Sequence, residues 1–136
     1  MTGEFQHNET KVAELPIMEN EIDIVKRSFR FATRIVKLCM FLEKNSNVSR
    51  TLANHLLRSS TSVGANIEEA QAGQSKADFT AKMYIACKEA RETHYWLRLL
   101  KETDILSDKQ LHELIDESNQ LVAILTTITR NSRPKK

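Results

Sequence analysis

Four consecutive segments of this chain carry apolar residues at helical spacing, and this repetition constrains the fold more than any other feature. Within each segment the positions follow one another mostly at steps of three or four residues. Such steps place side chains on one face of an α-helix, so the pattern predicts four amphipathic helices. The four inward stripes are Ile24, Phe31, Ile35, Leu38 and Leu42; Leu52, Leu56, Ser59, Val63, Asn66, Ile67 and Ala70; Phe79, Met83, Ala86, Ala90, Thr93, Leu97 and Leu100; and Leu111, Leu114, Ser118, Leu121, Leu125 and Ile128.

Capping and turn-forming residues predict where the first two helices begin and end. Asn20 is the expected cap of the first helix, with Asp23 as a weak capping-box partner. The cluster Asn45-Ser46-Asn47 favours a turn, so the second helix is predicted from about Val48 to Gln71. Gly73 follows at the position where a left-handed residue often ends a helix.

Serines are the predicted caps of the third and fourth helices. Ser75 has Asp78 three residues on, and Ser107 has Gln110 at the same spacing, which is the capping-box arrangement. A hydrophobic staple is also expected at the start of the fourth helix, formed by Leu106 and Leu111.

All four stripes are buried most simply when the helices close around one core. Short loops make consecutive helices antiparallel neighbours, so the predicted fold is all-α, an antiparallel up-down-up-down four-helix bundle. We expect residues 20–131 to form it, between a flexible N-terminal arm over 1–19 and a basic C-terminal tail over 132–136. Only three Gly and two Pro occur, which argues against an all-β fold with its many turns.

Side chains able to do chemistry are scattered, so the sequence predicts no enzyme, no metal site and no cofactor. A di-metal bundle needs inward Glu-x-x-His pairs, whereas Glu92 and His94 are only two residues apart. Cys39 and Cys87 lack metal-site spacing and are interpreted as reduced cysteines of the core. No apolar run approaches the ~20 residues of a membrane span, so a cytoplasmic protein with no membrane partner is expected.

Small and polar residues interrupt the stripes of the second and third helices. The run 58–70 contains three serines and a glycine, which suits a close helix crossing better than a phosphate cradle. Ser59, Asn66, Glu89 and Thr93 fall on inward stripes. Because a buried carboxylate needs partners, we expect a hydrogen-bonded polar layer between the two helices, with Glu89 beside the serines. The alternative is a catalytic carboxylate, although no nucleophile or metal-ligand set surrounds it.

A second stripe on the third helix lies opposite its apolar face and combines basic with aromatic residues. Such a combination suits phosphate contact and base stacking. A solvated charged face is the alternative, because Glu92 and Glu102 lie four residues from Lys88 and Arg98. The candidate nucleic-acid-binding residues are Lys88, Arg91, Arg98 and Lys101, with Arg50 and Arg58 added from the second helix and His94, Tyr84 and Tyr95 alongside.

The first and third helices carry more apolar residues than one inward stripe uses. Apolar patches of this kind on a soluble chain mark an interface, so the pattern predicts an oligomer. The additional residues are Val25, Phe29 and Val36 with Ile85 and Leu99.

Two segments of the second and third helices together resemble a family signature. The first is Arg58-Ser59…Ser62-Val63-Gly64-Ala65-Asn66-Ile67…Glu69-Ala70. The second is Asp78-Phe79, then Lys88-Glu89-Ala90…Glu92-Thr93…Tyr95-Trp96-Leu97…Leu99-Leu100. Both resemble the four-helix-bundle family of 23S rRNA intervening-sequence proteins, over roughly Ile24 to Ile128. Glu68 departs from the pattern, since a small residue such as alanine is usual there.

The resemblance implies a bacterial protein that forms a ring-like homopentamer with a basic surface for RNA or DNA. The accessory variability determinant (Avd) of diversity-generating retroelements is similar in fold, which adds a reverse transcriptase to the implied partners. Two functions therefore remain open: a nucleic-acid-binding accessory protein, and an assembly or adaptor protein whose charged face meets another protein. Strong salt-dependent binding to RNA or DNA would favour the first.

Overall fold

The computed structural model describes the backbone of residues 19–133 and the side chains of residues 24–133. All regular structure in this range is helical, in four helices of 25 to 27 residues. The expected N-terminal arm lies outside the described residues except for its last residue, and so do the last three residues of the expected tail. The helices are α1 (Glu19–Glu43), α2 (Asn47–Gln71), α3 (Lys76–Glu102) and α4 (Asp108–Ser132).

The four helices form a bundle around one apolar core, which confirms the all-α, four-helix prediction. Each helix contacts the next in sequence, and α1 also contacts α4, so the bundle is closed. The predicted inward stripes supply the core: the side chains of Phe31, Leu56, Leu97 and Leu121 are each 2% exposed or less. Burying one such side chain stabilises the fold by about 1.5–3 kcal/mol, so the stripes hold the helices together.

Side-chain contacts show which parts of neighbouring helices lie together. Late in α1, Cys39 donates to the carbonyl of Ala53, early in α2, at 3.4 Å. Lys82, early in α3, pairs with Glu69, late in α2, at 2.9 Å. The described contacts therefore join late residues of one helix with early residues of the next.

Serine side chains begin three of the helices. Ser46, Ser75 and Ser107 each accept a hydrogen bond from the backbone N–H three residues on, which confirms Ser75 and Ser107 as caps. Ser107 also has the full capping box with Gln110. The prediction that Asn20 caps α1 was wrong, because α1 already begins at Glu19 and includes Asn20.

The left-handed residue that ends a helix is Asp104, and the prediction for Gly73 was wrong. No described glycine has a positive φ, whereas Asp104 has φ 57°. The N–H groups of Asp104 and Ile105 donate to the carbonyls of Lys101 and Leu100. This bond pair terminates a helix on a left-handed residue. Glycine permits the left-handed conformation but does not require it, so the presence of a glycine after the helix did not locate the left-handed residue.

The last helix extends further than the sequence predicted. α4 continues to Ser132, one residue beyond the predicted end of the bundle at residue 131. The carbonyl of Ser132 accepts from the Thr80 hydroxyl on α3 at 3.3 Å. This bond holds the end of α4 against the start of α3 and brings the following residue, Arg133, to that surface.

The small residues of α2 allow a close approach to α1. A Cβ built on Gly64 would lie 3.6 Å from the carbonyl oxygen of Ser28. That is ordinary van der Waals contact, so the crossing leaves room for alanine but not for a larger side chain. Ser59 and Ser60, both buried, donate to carbonyls three residues back in their own helix.

Candidate functional site

A straight line of alternating aromatic and basic side chains runs along the solvent face of α3. It consists of Tyr84, Lys88, Arg91, Tyr95 and Arg98, at steps of four, three, four and three residues. All five are exposed, and most of the buried residues of α3 occupy the opposite face. The line is about 21 Å long at the α-helical rise. We call these five residues the α3 stripe.

Each tyrosine of the α3 stripe has a cation over its ring. Lys88 Nζ lies 5.7 Å from the ring centroid of Tyr84, and the Arg98 guanidinium lies 5.9 Å from that of Tyr95. Arg133, just after α4, also lies 5.9 Å from the Tyr84 ring. A cation within about 6 Å of an aromatic ring is attracted to its electron-rich face. The stripe therefore presents positive charge and aromatic surface together.

The cations of the α3 stripe have no acidic partner. Lys88, Arg91 and Arg98 form no ion pair among the described residues. Arg91 donates instead to the hydroxyl of Thr126 on α4 at 3.4 Å. The pair predicted between Glu102 and Arg98 is absent from this part of the chain. Three positive charges are therefore left to face solvent together.

Arg58, predicted as part of the basic surface, is held by two carboxylates of α3. Its guanidinium donates to Glu89 at 2.7 Å and also to Glu92. The hydrogen bond that Arg58 donates to Glu89, with attraction from both carboxylates, raises the pKa of Arg58. Since Glu92 binds Arg58, the predicted pair between Glu92 and Lys88 does not form. Arg58 thus joins α2 to α3 and is not available as a free cation.

Two other predicted residues lie away from the α3 stripe. Lys101 pairs with Asp108, at the start of α4, at 3.1 Å. Arg50 precedes Ala53 by three residues, and Ala53 faces α1, where it accepts from Cys39. Helical spacing therefore puts Arg50 towards the α1 side of α2, away from α3.

Two of the residues predicted for a polar layer, one on α2 and one on α3, contact each other. Thr93 and Ser59 are both fully buried, and the Thr93 hydroxyl donates to the Ser59 hydroxyl at 2.8 Å. Glu89 does not join them, because its carboxylate points to Arg58 at the surface. Asn66 donates to Ser62 of its own helix. Two of the four predicted residues therefore form the buried contact, and none of the described buried side-chain polar atoms lacks a partner.

The histidines near the α3 stripe show no catalytic or metal-binding arrangement. Burial, with a smaller effect of Arg98, lowers the pKa of His94. His55 stacks on Trp96 with ring centroids 4.6 Å apart. Within residues 24–133, no three His, Cys, Asp or Glu side chains come close enough to hold a metal ion. The helices of this range are also too short or too polar for any of them to cross a membrane.

A groove opens beside Tyr84, between the start of α3 and the end of α4. Its volume is about 580 Å³, and Ala77, Ala81 and Tyr84 line it together with Lys76 and Arg133. Neither Lys76 nor Arg133 was among the predicted stripe residues. For the apolar part of the groove the sequence did hold a signal, which is spacing. Ala77 and Ala81 precede Tyr84 by seven and three residues and continue the same helix face. The groove therefore extends the α3 stripe towards the start of the helix.

A second surface, on α1, is apolar and consists of two exposed and two half-buried side chains. Val25, Phe29, Val36 and Met40 follow one another at steps of four, seven and four residues, and so share a face. Phe29 is 64% exposed and Met40 is 61% exposed. Phe29 was predicted as an interface residue, whereas Met40 was missed. We call these four residues the α1 strip.

Comparison with known proteins places the fold in a described family. The sequence model of the family "23S rRNA-intervening sequence protein" matches residues 20–127. The crystal structure of a protein with unknown function from Bacteroides thetaiotaomicron VPI-5482, of the S23 ribosomal protein family, is similar with a TM-score of 0.74 and 39% sequence identity. The match covers 82% of this chain and 98% of that chain. No curated protein matches. Since the family match spans most of the bundle, this chain belongs to the 23S rRNA-intervening sequence protein family.

Proposed function

We propose that this protein is a non-catalytic, nucleic-acid-binding accessory protein of the cytoplasm that works as an oligomer. The observation that carries the proposal is the α3 stripe, where Lys88, Arg91 and Arg98 are exposed and have no acidic partner within residues 24–133. A nucleic-acid backbone carries regularly spaced negative charges, and its neutralisation by Lys and Arg releases counterions. Unpaired cations in a straight line suit such a backbone.

The rest of the described surface supports this choice, because several of its cations are neutralised. Arg27 pairs with Glu117 at 2.7 Å, and Arg34 lies 3.7 Å from Glu113. The whole chain carries a net charge of only +2. Lys88, Arg91 and Arg98 place three cations without an ion pair among the described residues in one line on α3, where together they can attract a polyanion more strongly than the net charge suggests.

The test is the double variant Arg91→Ala/Arg98→Ala in a binding titration against RNA and DNA at several salt concentrations. We expect weaker binding to all sequences, because phosphate contacts carry no sequence information. The slope of log K against log salt should become shallower by roughly one unit per lost contact. Fold and oligomer size should be retained, since both side chains are exposed.

A matched control is Lys44→Ala/Lys109→Ala, which removes two exposed positive charges elsewhere on the bundle. If net charge alone governed binding, both double variants would weaken it equally. A stripe variant that keeps the affinity and salt slope of the unmodified protein would contradict the proposal.

We also infer an antiparallel up-down-up-down bundle that assembles as a ring-like homo-oligomer, a pentamer by the family resemblance. The antiparallel inference is supported by Ser28, early in α1, lying beside Gly64, late in α2. The assembly inference is supported by the exposed α1 strip. Light scattering at micromolar concentration tests it, and a monomer mass would contradict it.

A protein-binding adaptor is the second candidate function, and the α1 strip is the observation that favours it. A different protein, instead of another copy of this chain, could bind an apolar strip of this kind. A reverse transcriptase is the partner class that the family resemblance implies. A monomeric protein without salt-dependent nucleic-acid binding would favour this second function.

A further inference from the structure

The tyrosines of the α3 stripe provide exposed aromatic surface, which phosphate binding alone does not require. We propose that the bound nucleic acid is single-stranded and that its unstacked bases stack on Tyr84 and Tyr95. This inference rests on the proposed function and narrows the ligand from nucleic acid in general to single-stranded nucleic acid. Duplex bases are stacked on each other and paired, so an exposed tyrosine face on a helix cannot reach them, whereas it can stack on bases of a single strand.

Both rings are placed for such contact. Tyr84 is 47% exposed and Tyr95 is 48% exposed. Neither hydroxyl has a hydrogen-bond partner among the described residues, so the bundle does not use these groups internally. The Tyr95 ring contacts Trp96 at a centroid distance of 5.0 Å and an interplanar angle of 75°, which fixes its orientation. An oriented, half-exposed ring costs little additional ordering when a base stacks on it.

The groove beside Tyr84 matches the two parts of a nucleotide. Ala77 and Ala81 supply an apolar surface next to the aromatic ring, and the volume of about 580 Å³ lies in the range of small-molecule sites. Lys76 and Arg133 also line the groove, and no carboxylate of the described residues does. A flat base can pack against the alanines and Tyr84 while its phosphate meets these cations. This charge complementarity favours a nucleotide as the occupant.

The spacing of the two tyrosines suits a strand that follows the helix. They are eleven positions apart, which is about 16 Å along α3. Lys88 and Arg91 lie between them on the same face and have no acidic partner among the described residues, so their positive charges can meet the phosphates of the bound strand. Single-strand sites of this kind typically span about 4–16 nucleotides per binding module.

The experiment measures the affinity of the full chain for an oligothymidylate of about 20 nucleotides and for a duplex of equal length, between about 50 and 200 mM salt. The unmodified protein should prefer the single strand. Tyr84→Ala/Tyr95→Ala should weaken single-strand binding by roughly fivefold to a hundredfold per lost stacking contact. The salt slope should not change, because no charge is lost. Tyr84→Phe/Tyr95→Phe keeps the rings and should bind as the unmodified protein does.

The fluorescence of Trp96 provides a second readout. It is the only tryptophan in the chain and contacts Tyr95. Single-stranded DNA should change its emission in the unmodified protein and much less in Tyr95→Ala. Circular dichroism and light scattering of each variant establish that the fold and oligomer size are retained.

Three results would overturn the inference. Equal binding of duplex and single strand, with alanine variants unaffected and Arg91→Ala/Arg98→Ala weakened, would show phosphate binding without stacking, and the proposed function would stand. A change of oligomer mass in Tyr84→Ala/Tyr95→Ala would make the stripe a contact between subunits. Absence of salt-dependent binding to either nucleic acid would remove the proposed function as well.

Discussion

At the scale of the single residue, Asp104 holds the one positive φ of a described non-glycine residue, at 57°. This conformation brings the Cβ close to the following carbonyl, a clash that glycine lacks. We expect Asp104→Gly to stabilise the protein by about 0.5–1 kcal/mol, measured as a higher urea midpoint. Thr103→Gly is the control. Thr103 has φ −93°, so glycine there relieves no clash and only raises the conformational entropy of the unfolded chain. A lower midpoint for Asp104→Gly would contradict the assignment of strain.

Cys39 gives a prediction about pH at the same scale. Burial, with a smaller effect of Glu43, raises the pKa of its thiol to about 11. The unfolded chain loses this proton above about pH 9 and the folded chain keeps it, so the free energy of unfolding should fall as pH rises from 9 to 11. The loss approaches about 2 kcal/mol at the upper end. Cys39→Ala should lack this contribution, which urea titrations of both proteins at several pH values would detect. Identical pH profiles would contradict it.

At the scale of the helices, the buried stripe positions were predictable and the ion pairs between helices were not. The stripe positions of Phe31, Leu56 and Leu97 followed from spacing alone, because burial of one helix face repeats every three or four residues. The contact of Arg58 with Glu89 joins residues 31 positions apart, and no local pattern encodes it. Long side chains reach across a helix seam, so spacing on one helix could not show which cations remained unpaired.

The polar contact between α2 and α3 provides a prediction at this scale. Thr93→Val removes a buried hydroxyl bonded to Ser59, and we expect a loss of about 0.5–1.5 kcal/mol in the free energy of unfolding. Glu89→Ala breaks only one of the two ion pairs of the exposed Arg58, so its cost should be about 0–1 kcal/mol. Thermal denaturation of both variants measures the difference. A larger loss for Glu89→Ala than for Thr93→Val would place the carboxylate, not the hydroxyl pair, at the centre of this seam.

At the scale of the whole molecule, the α1 strip and the α3 stripe lie on different helices, so the proposed assembly and the proposed nucleic-acid binding can be tested by separate mutations. Phe29→Glu places a charge on the most exposed residue of the strip, at 64%, and should weaken contact between subunits by desolvating that charge. The fold should survive, because the side chain lies outside the core. In the proposed ring, each subunit adds its own stripe, and binding one strand across several stripes raises the overall affinity.

We therefore expect Phe29→Glu to lower the mass in light scattering and, with it, both the affinity for a long single strand and the salt slope. For a strand too short to reach a second subunit, the affinity should be unchanged, since one α3 stripe remains complete. Thr127→Glu, on an exposed position of α4, is the matched control for an added charge. A smaller assembly that binds the long strand as tightly as before would mean that each subunit acts alone. Equal losses for the long and the short strand would instead show that the α1 strip itself touches the nucleic acid.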